Sequence, residues 1–178
     1  MLFMKLKQIL NEFKTISIFD ADDTLFRTDS WVYVTHADGH RIKMNPGQYA
    51  VYPPRPDDKF DFSEFDKMLR NPQIIKKNAT LLKSQLLDAS KKTNKKVTIL
   101  TARKLGFPIK HFFKSIGLEV YVIALGTGDP QAKADWIEKK IKDGYTTIYF
   151  TDDSQKNLAA VQSLQKKYPD VTIKTKLA

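Results

Sequence analysis

Residues 16–26 read ISIFDADDTLF and place three carboxylates, Asp20, Asp22 and Asp23, directly after an apolar run. Carboxylates this close together repel one another, and in a partly buried position they need a cation or a proton to be tolerated. A solvated turn requires only one such residue, not three acids crowded between hydrophobic side chains. The spacing therefore predicts a site that receives a cation or a proton.

Two later apolar runs also end in polar residues. VTIL precedes Thr101 and Arg103, and IYFT precedes Asp152 and Asp153. If these runs are neighbouring parallel strands, their ends meet at one edge of a sheet. Carboxylates that converge without cysteine or a well-placed histidine favour a hard cation, and Mg²⁺ fits best. An aspartate free to attack beside Mg²⁺ is suited to phosphoryl transfer through an aspartyl-phosphate.

The elements that must position these residues alternate between strands and helices. Strands are predicted over 15–20, 97–100, 118–125, 147–150 and 171–173, and helices over 74–92, 107–116, 131–142 and 154–167. This alternation predicts a parallel sheet with right-handed crossovers and helices on both faces. The fold class is therefore α/β, with a Rossmann-like parallel sheet of about five strands, in a single domain that spans 1–178.

An insertion, residues 27–90, separates the first run from the second. Ranges 31–35 and 41–45 predict a β-hairpin around an Asp-Gly turn, and the prolines and glycines of 46–60 predict an irregular loop. Ser63, with Asp66 three residues on, predicts the capped start of a short helix that ends near residue 71. The three histidines, His36, His40 and His111, are expected in loops or on the surface.

Composition limits the class of protein. The chain has 178 residues, 42% of them hydrophobic, and no apolar run approaches the ~20 residues that a membrane span needs. It has no cysteine, so a cytoplasmic location is the default. Lysines and a glutamate interrupt the apolar residues at the chain start, which predicts an amphipathic helix rather than a signal peptide.

The net charge of +10 is unevenly distributed. Residues 1–90 carry 13 Lys and Arg against 12 Asp and Glu, whereas residues 91–178 carry 17 against 8. Six lysines fall around one stretch: Lys76, Lys77, Lys91, Lys92, Lys95 and Lys96. Two interpretations stay open, a solvated lysine-rich surface and a face that attracts polyanions such as nucleic acid.

Four segments carry a resemblance to the haloacid dehalogenase (HAD) superfamily. FDADDTLF resembles its first motif, VTILTAR its second and IYFTDDSQKN its fourth. The third motif is a lysine near a helix start, which Lys133 in DPQAKADW matches best, with Lys110 as a rival. The resemblance covers residues 15–173, and its finer wording is similar to HAD proteins of tailed bacteriophages, some related to nucleic-acid-end repair phosphatases.

The resemblance implies a role for each matching residue. Asp20 would be the nucleophile and Asp22 the general acid and base, whereas Thr101 and Lys133 would hold the transferring oxygens. The implied Mg²⁺ ligands are Asp20, the backbone carbonyl of Asp22, Asp152 and Asp153. The insertion would form a small hairpin and loop cap. The candidates for substrate binding are Arg27, Arg55 and Arg103, and a structural ion pair is an equal alternative for Arg103.

The predicted function is therefore Mg²⁺-dependent hydrolysis of a phosphomonoester through an aspartyl-phosphate. A nucleotide or a nucleic-acid 3′ or 5′ phosphate end is the favoured substrate, and DNA or RNA ends are the favoured partners. The alternatives are a phosphatase of a small phosphorylated metabolite, a receiver-like phosphoacceptor domain and a non-catalytic nucleic-acid-binding module. The expected location is the cytoplasm, which for a phage-encoded protein is the host's.

Overall fold

The computed structural model describes residues 13–178, and the helix predicted at the chain start falls on residues outside this part. The strands are β1 (Lys14–Phe19), β2 (Phe26–Arg27), β3 (Val32–Thr35), β4 (Arg41–Met44), β5 (Lys59–Asp61), β6 (Gln73–Ile74), β7 (Lys95–Thr101), β8 (Val122–Ala124), β9 (Tyr145–Asp152) and β10 (Thr172–Leu177). The helices are α1 (Pro46–Ala50), α2 (Lys76–Ser90), α3 (Phe107–Ser115), α4 (Pro130–Lys142) and α5 (Gln155–Lys167). A 3₁₀ turn covers Ser63–Asp66.

Five parallel strands form the main sheet in the order β10–β9–β1–β7–β8. This confirms the α/β class and the five-stranded parallel sheet, a topology compatible with a Rossmann-like fold. The chain passes from β1 to β7 and β8 on one side, and then returns to β9 and β10 on the other. The strand order therefore switches between β1 and β9, and ligands of such sheets bind outside the carboxyl ends of the strands at that point.

Successive residues of each central strand face opposite sides of the sheet, and both sides are apolar. Ile18 and Leu100 pack with α4 and α5, whereas Phe19 and Ile99 pack with α2 and α3. Because strands buried on both faces are mostly apolar, they appear in the sequence as nearly continuous hydrophobic runs, interrupted here by the buried Ser17 and Thr98. Helices cover both faces, as predicted.

Residues 31–66 form a small antiparallel unit, here named the β-unit, in which β3 lies between β4 and β5. The predicted hairpin is present, with Gly39 at a positive φ of 82° in its turn. The irregular loop predicted over 46–60 is wrong at α1 and at its last two residues, Lys59 and Phe60, which belong to β5. Asn45 caps this short helix together with Gln48, and Pro46 takes a first-turn position where no N–H donor is needed.

The capped helix predicted from Ser63 is also wrong. The chain makes only the short 3₁₀ turn, and no side chain caps its start. The reason is tertiary, because the Glu64 carboxylate in this turn accepts hydrogen bonds from the Trp31 backbone N–H and the Tyr33 hydroxyl, at 3.0 and 2.8 Å. These contacts fasten the turn to β3 and prevent a regular helix.

Three further expectations change. The predicted strand over 118–125 pairs with β7 only along its last part, as β8, whereas β10 is longer than predicted because it pairs with β9 along its whole length. His36 lies in the hairpin loop, one of the two settings expected for it, but its side chain is buried against Asp58 and is not on the surface. Among residues 13–178, no helix combines the length and the apolar character needed to cross a membrane.

Candidate active site

The carboxyl edge of the main sheet carries the polar residues that the sequence placed at strand ends. Asp20 directly follows β1, Thr101 ends β7 and Asp152 ends β9. Because β1 lies between the other two strands, the parallel register brings the three positions side by side. The Asp20 backbone N–H donates to the Thr151 carbonyl at 2.9 Å, which fixes the start of the acidic segment against β9.

Lys133 joins this edge from α4. Asp129 caps the helix and Pro130 begins it, so that Lys133 lies one turn in, on the face that packs on the sheet. Its Nζ donates to Asp20 Oδ1 at 2.6 Å and to Asp152 Oδ2 at 2.7 Å. Burial alone would lower the pKa of Lys133, but the charges of Asp20 and Asp152 raise it above its ordinary value. The rival lysine, Lys110, is exposed on α3.

Asp152 is fully buried and held by several donors. Besides Lys133, the Ser154 backbone N–H donates to its Oδ1 at 2.8 Å, and Asn157 Nδ2 lies 3.0 Å from both of its oxygens. Sequence reasoning missed Asn157. The only signal was a polar side chain near the start of the helix that follows the paired acids. These contacts fix the orientation of the Asp152 carboxylate.

Thr24 connects the turn after Asp20 to the end of β9. Its hydroxyl donates to Asp153 Oδ1 at 3.3 Å and accepts from the Asp153 backbone N–H at 3.0 Å. The side chain is buried, and Asn78 on α2 donates to the Thr24 carbonyl at 3.0 Å. Asp153 is thereby kept beside Asp20 and Asp152.

The carboxylates of Asp20, Asp152 and Asp153 form a cluster, here named the acid cluster, in which one oxygen of each lies within 4.8 Å of the others. Burial raises the pKa of Asp20 to about 8, with the charge of Lys133 opposing the rise and that of Asp152 adding to it. Burial also raises the pKa of Asp153 to about 6, and the charges of Asp152 and Asp23 contribute. Three carboxylates share one ammonium, so the acid cluster can accept a divalent cation.

Asp22 lies outside the acid cluster. Its carboxylate accepts two hydrogen bonds from Arg103, from Nε at 2.8 Å and from one terminal nitrogen at 2.6 Å. The other terminal nitrogen of Arg103 donates to the Phe65 carbonyl of the β-unit at 2.8 Å. The structural ion pair weighed for Arg103 is therefore present. The predicted contact of the Asp22 backbone carbonyl with Mg²⁺ stays a prediction.

The other predicted site residues differ in burial and in location. Thr101 is buried, and its hydroxyl accepts from the Arg103 backbone N–H at 3.2 Å. Arg27 is exposed and lies 3.5 Å from Asp23. Arg55 contacts Asp58 at the far end of the β-unit from Phe65, roughly 15 Å away by the rise of β3. Of the three predicted arginines, Arg27 and Arg103 therefore contact carboxylates of the segment that follows Asp20, and Arg55 does not.

The lysines of the second half divide between the two edges of the sheet. Lys91 and Lys92 follow α2, and Lys95 and Lys96 begin β7, about 20 Å along the strand from Thr101. Two of these lysines pair with Asp88. Basic residues at element ends near the carboxyl edge include Lys104, Lys156 and Lys176 from the second half of the chain, and Lys76 and Lys77 from the first. Of the six lysines that the sequence singled out, Lys76 and Lys77 therefore lie at the carboxyl edge, whereas Lys95 and Lys96 lie at the opposite edge.

Comparison of the chain with protein-family models, with curated proteins and with solved structures finds no match in any of the three. The class that the structure defines is an α/β protein with a five-stranded parallel sheet and an acid cluster at its switch point. Function therefore rests on the chemistry of that edge.

Proposed function

We propose that the protein is a Mg²⁺-dependent phosphomonoester hydrolase of the HAD type, working through an aspartyl-phosphate on Asp20. One observation carries the proposal. Asp20 stands at the carboxyl end of the central strand, bonded to Lys133 and clustered with Asp152 and Asp153, while the carboxylate of Asp22, two residues on, lies apart from them. A nucleophile, a cation site and a separate acid are the three parts that this chemistry requires.

The donor set fits Mg²⁺. Its oxygens come from Asp20, Asp152 and Asp153, and the chain has no cysteine to favour a softer metal. The acid cluster carries two more negative charges than Lys133 offsets when all three acids are ionised, which a divalent ion balances. When bound, Mg²⁺ would neutralise charge on the phosphoryl oxygens and orient the phosphate group.

In the first half-reaction, a carboxylate oxygen of Asp20 attacks phosphorus and the bond from phosphorus to the leaving oxygen breaks. The electron pair of that bond goes to the leaving oxygen, which takes a proton from the Asp22 carboxyl group. Lys133 and Thr101 supply donors for the oxygens of the transferring group. The products are an alcohol and an aspartyl-phosphate.

In the second half-reaction, water attacks the phosphorus of the aspartyl-phosphate and gives a proton to Asp22. The bond between phosphorus and the Asp20 oxygen breaks, and inorganic phosphate leaves. The side chain of Asp20 is restored as a carboxylate, and Asp22 is again protonated for the next cycle. The two steps together consume one water and one phosphomonoester.

The β-unit would serve as a small cap. Its 3₁₀ turn reaches the loop after β7, through the Arg103 bond to the Phe65 carbonyl and through Lys104, whose Nζ lies 3.9 Å from Asp66. We favour a nucleotide or a nucleic-acid phosphate end as the substrate, because five lysines lie on elements at the carboxyl edge: Lys76, Lys77, Lys104, Lys156 and Lys176. A small phosphorylated metabolite is the alternative.

The test is phosphate release from p-nitrophenyl phosphate by metal-free protein, with and without added Mg²⁺, with Asp20→Asn as the matched control. Release that requires both Mg²⁺ and Asp20 supports the proposal. If folded wild-type protein with Mg²⁺ releases no phosphate from this ester or from a panel of nucleotides, sugar phosphates and phosphorylated oligonucleotides, the proposal is wrong. Within the panel, salt-dependent preference for oligonucleotides over mononucleotides would identify polymeric substrates.

A further inference from the structure

Arg103 occupies an unusual position for a residue beside a candidate phosphate site. Its side chain is 2% exposed, and its planar face lies 4.9 Å from the centre of the Phe65 ring. Nε and both terminal nitrogens donate hydrogen bonds, two to Asp22 and one to the Phe65 carbonyl. A buried guanidinium with three of its five N–H donors bonded in this way is a structural connector between two segments.

The bidentate pair restricts the Asp22 side chain. Two parallel N–H···O bonds match the planar fork of arginine to both oxygens of a carboxylate, so that they fix its orientation as well as its position. A lysine in this place would supply one point charge and could not fix the carboxylate plane. Asp22 is therefore held in one orientation by a residue 81 positions further along the chain.

The β-unit holds Arg103 from the other side. Phe65 lies in the 3₁₀ turn, and its neighbour Glu64 accepts from the Trp31 backbone N–H and the Tyr33 hydroxyl. The chain of contacts therefore runs from β3 through Glu64 and the turn to Arg103, and from Arg103 to Asp22. A shift of the turn would pull on the same guanidinium that orients the carboxylate.

We propose that Arg103 is a positioning residue that orients the Asp22 carboxylate and makes this orientation depend on the seating of the 3₁₀ turn. The catalytic consequence rests on the proposed function, in which Asp22 is the proton donor. Arg103 then acts through Asp22 and does not hold the transferring phosphate. The β-unit contributes to catalysis by keeping the guanidinium in place.

The first test compares Arg103→Met with Asp22→Asn and with the double variant over a series of aryl phosphates. A misplaced proton donor harms poor leaving groups most, so we expect kcat/KM of Arg103→Met to fall about 10²-fold for phenyl phosphate. For 2,4-dinitrophenyl phosphate, which needs little protonation, the loss should be small. The double variant should be no slower than Asp22→Asn, because both changes remove the same function. Arg103→Lys should not rescue the poor leaving groups.

A role for Arg103 in binding the phosphate predicts a different set of results. If Arg103 holds the phosphate itself, Arg103→Met slows all leaving groups equally, raises the inhibition constant of inorganic phosphate and adds to Asp22→Asn. Any of these three outcomes overturns the proposal.

The β-unit provides a matched pair of variants that test whether the orientation of Asp22 depends on the 3₁₀ turn. Tyr33→Phe removes a hydroxyl that donates to Glu64 in the turn, whereas Tyr52→Phe removes one that donates to Asp58, away from the turn. Tyr33→Phe should show a weaker form of the leaving-group pattern of Arg103→Met, and Tyr52→Phe should not. Equal effects of Tyr33→Phe and Tyr52→Phe on the leaving-group pattern would contradict the proposed dependence of the Asp22 orientation on the 3₁₀ turn.

A readout without catalysis separates this proposal from the proposed function. The Asp22 side-chain carboxyl ¹³C resonance, assigned by its loss in Asp22→Asn, should shift in Arg103→Met and to a lesser extent in Tyr33→Phe. A double-mutant cycle on urea unfolding midpoints should show coupling between Asp22 and Arg103. If the wild type hydrolyses nothing but both readouts show coupling, the proposed function fails and the positioning contact stands. If the effects of the Asp22 and Arg103 substitutions on the urea midpoint are additive and the Asp22 carboxyl resonance does not shift, Arg103 does not position Asp22.

Discussion

Two regions of the molecule contain buried carboxylates, and their surroundings shift the pKa of these groups in opposite directions. In the acid cluster, burial and neighbouring acids raise the pKa of Asp20 to about 8 and that of Asp153 to about 6. In the β-unit, Asp58 accepts from His36 at 2.6 Å, from the Tyr52 hydroxyl at 2.7 Å and from the Arg55 backbone N–H at 2.9 Å. Burial would raise the pKa of Asp58 as well, but these hydrogen bonds lower it to about 2.

The difference follows from the neighbours of each carboxylate. Asp58 has a donor for each of its oxygens, so its negative charge is stabilised by the protein itself. Within residues 13–178, the acid cluster has three carboxylates around one lysine, Lys133, which does not fully balance their charge. A satisfied carboxylate stabilises a fold, whereas a group of under-compensated ones is a place for a cation.

The largest effect is expected at Asp20. Asp20→Asn keeps the size of the side chain but removes the attacking oxygen charge, so turnover should fall by about 10⁶-fold, the scale for loss of a nucleophile. Rapid acid quench with ³²P-labelled substrate should find no phospho-enzyme. Labelled protein in Asp20→Asn, together with none in Asp22→Asn, would show that the two aspartates have exchanged roles.

The next largest effect on turnover is expected from removal of the cation. Excess chelator should abolish phosphate release, and Mg²⁺ or Mn²⁺ should restore it, because the acid cluster offers only oxygen ligands. Asn157→Ala should weaken Mg²⁺ affinity by about 10- to 100-fold, since it removes a donor that orients Asp152. Titration calorimetry measures this affinity directly. Full turnover in chelator would rule out the proposed cation.

Binding of the cation should also depend on pH. Because the pKa of Asp20 is raised to about 8 and that of Asp153 to about 6, protons occupy the acid cluster at low pH and must leave when Mg²⁺ binds. Affinity should therefore rise from pH 6 and level off above pH 8. Calorimetry in two buffers of different ionisation enthalpy should detect release of about one proton at pH 7. Affinity that is flat over this range would contradict the raised pKa values.

The smallest effect on activity is expected from Asp58. Asp58→Asn should lower the unfolding midpoint and leave kcat/KM unchanged, since the side chain supports the β-unit at the end distant from Phe65. The folded pKa of about 2 lies below the ordinary 3.8, so the stabilisation from Asp58 is fully present above pH 4 and is lost as pH falls toward 2. The stability difference between wild type and Asp58→Asn, measured by urea unfolding, should shrink over that range.

The sequence by itself determined the main sheet and most of its site. Apolar runs alternating with amphipathic helices define parallel strands, and parallel strands bring their carboxyl ends to one edge, so the positions of Asp20, Thr101 and Asp152 followed from local pattern alone. The start of α4 was predictable for the same reason, because Asp129 and Pro130 mark it, but Lys133 was predicted only through the family resemblance, with Lys110 as a rival. These are short-range signals, and neighbouring residues carry them.

Only the tertiary structure decided which side chains meet across long separations. The contact from Arg103 to Asp22 joins residues 81 positions apart, and the contact from Arg103 to the Phe65 carbonyl spans 38. No period or motif encodes such pairs, since they depend on how the β-unit packs on the loop after β7. The lysines illustrate the same limit of sequence reasoning. A group of lysines in the sequence does not show whether it lies at the amino end or the carboxyl end of a strand. Lys95 and Lys96 therefore lie at the edge opposite the acid cluster, although the sequence grouped them with Lys76 and Lys77.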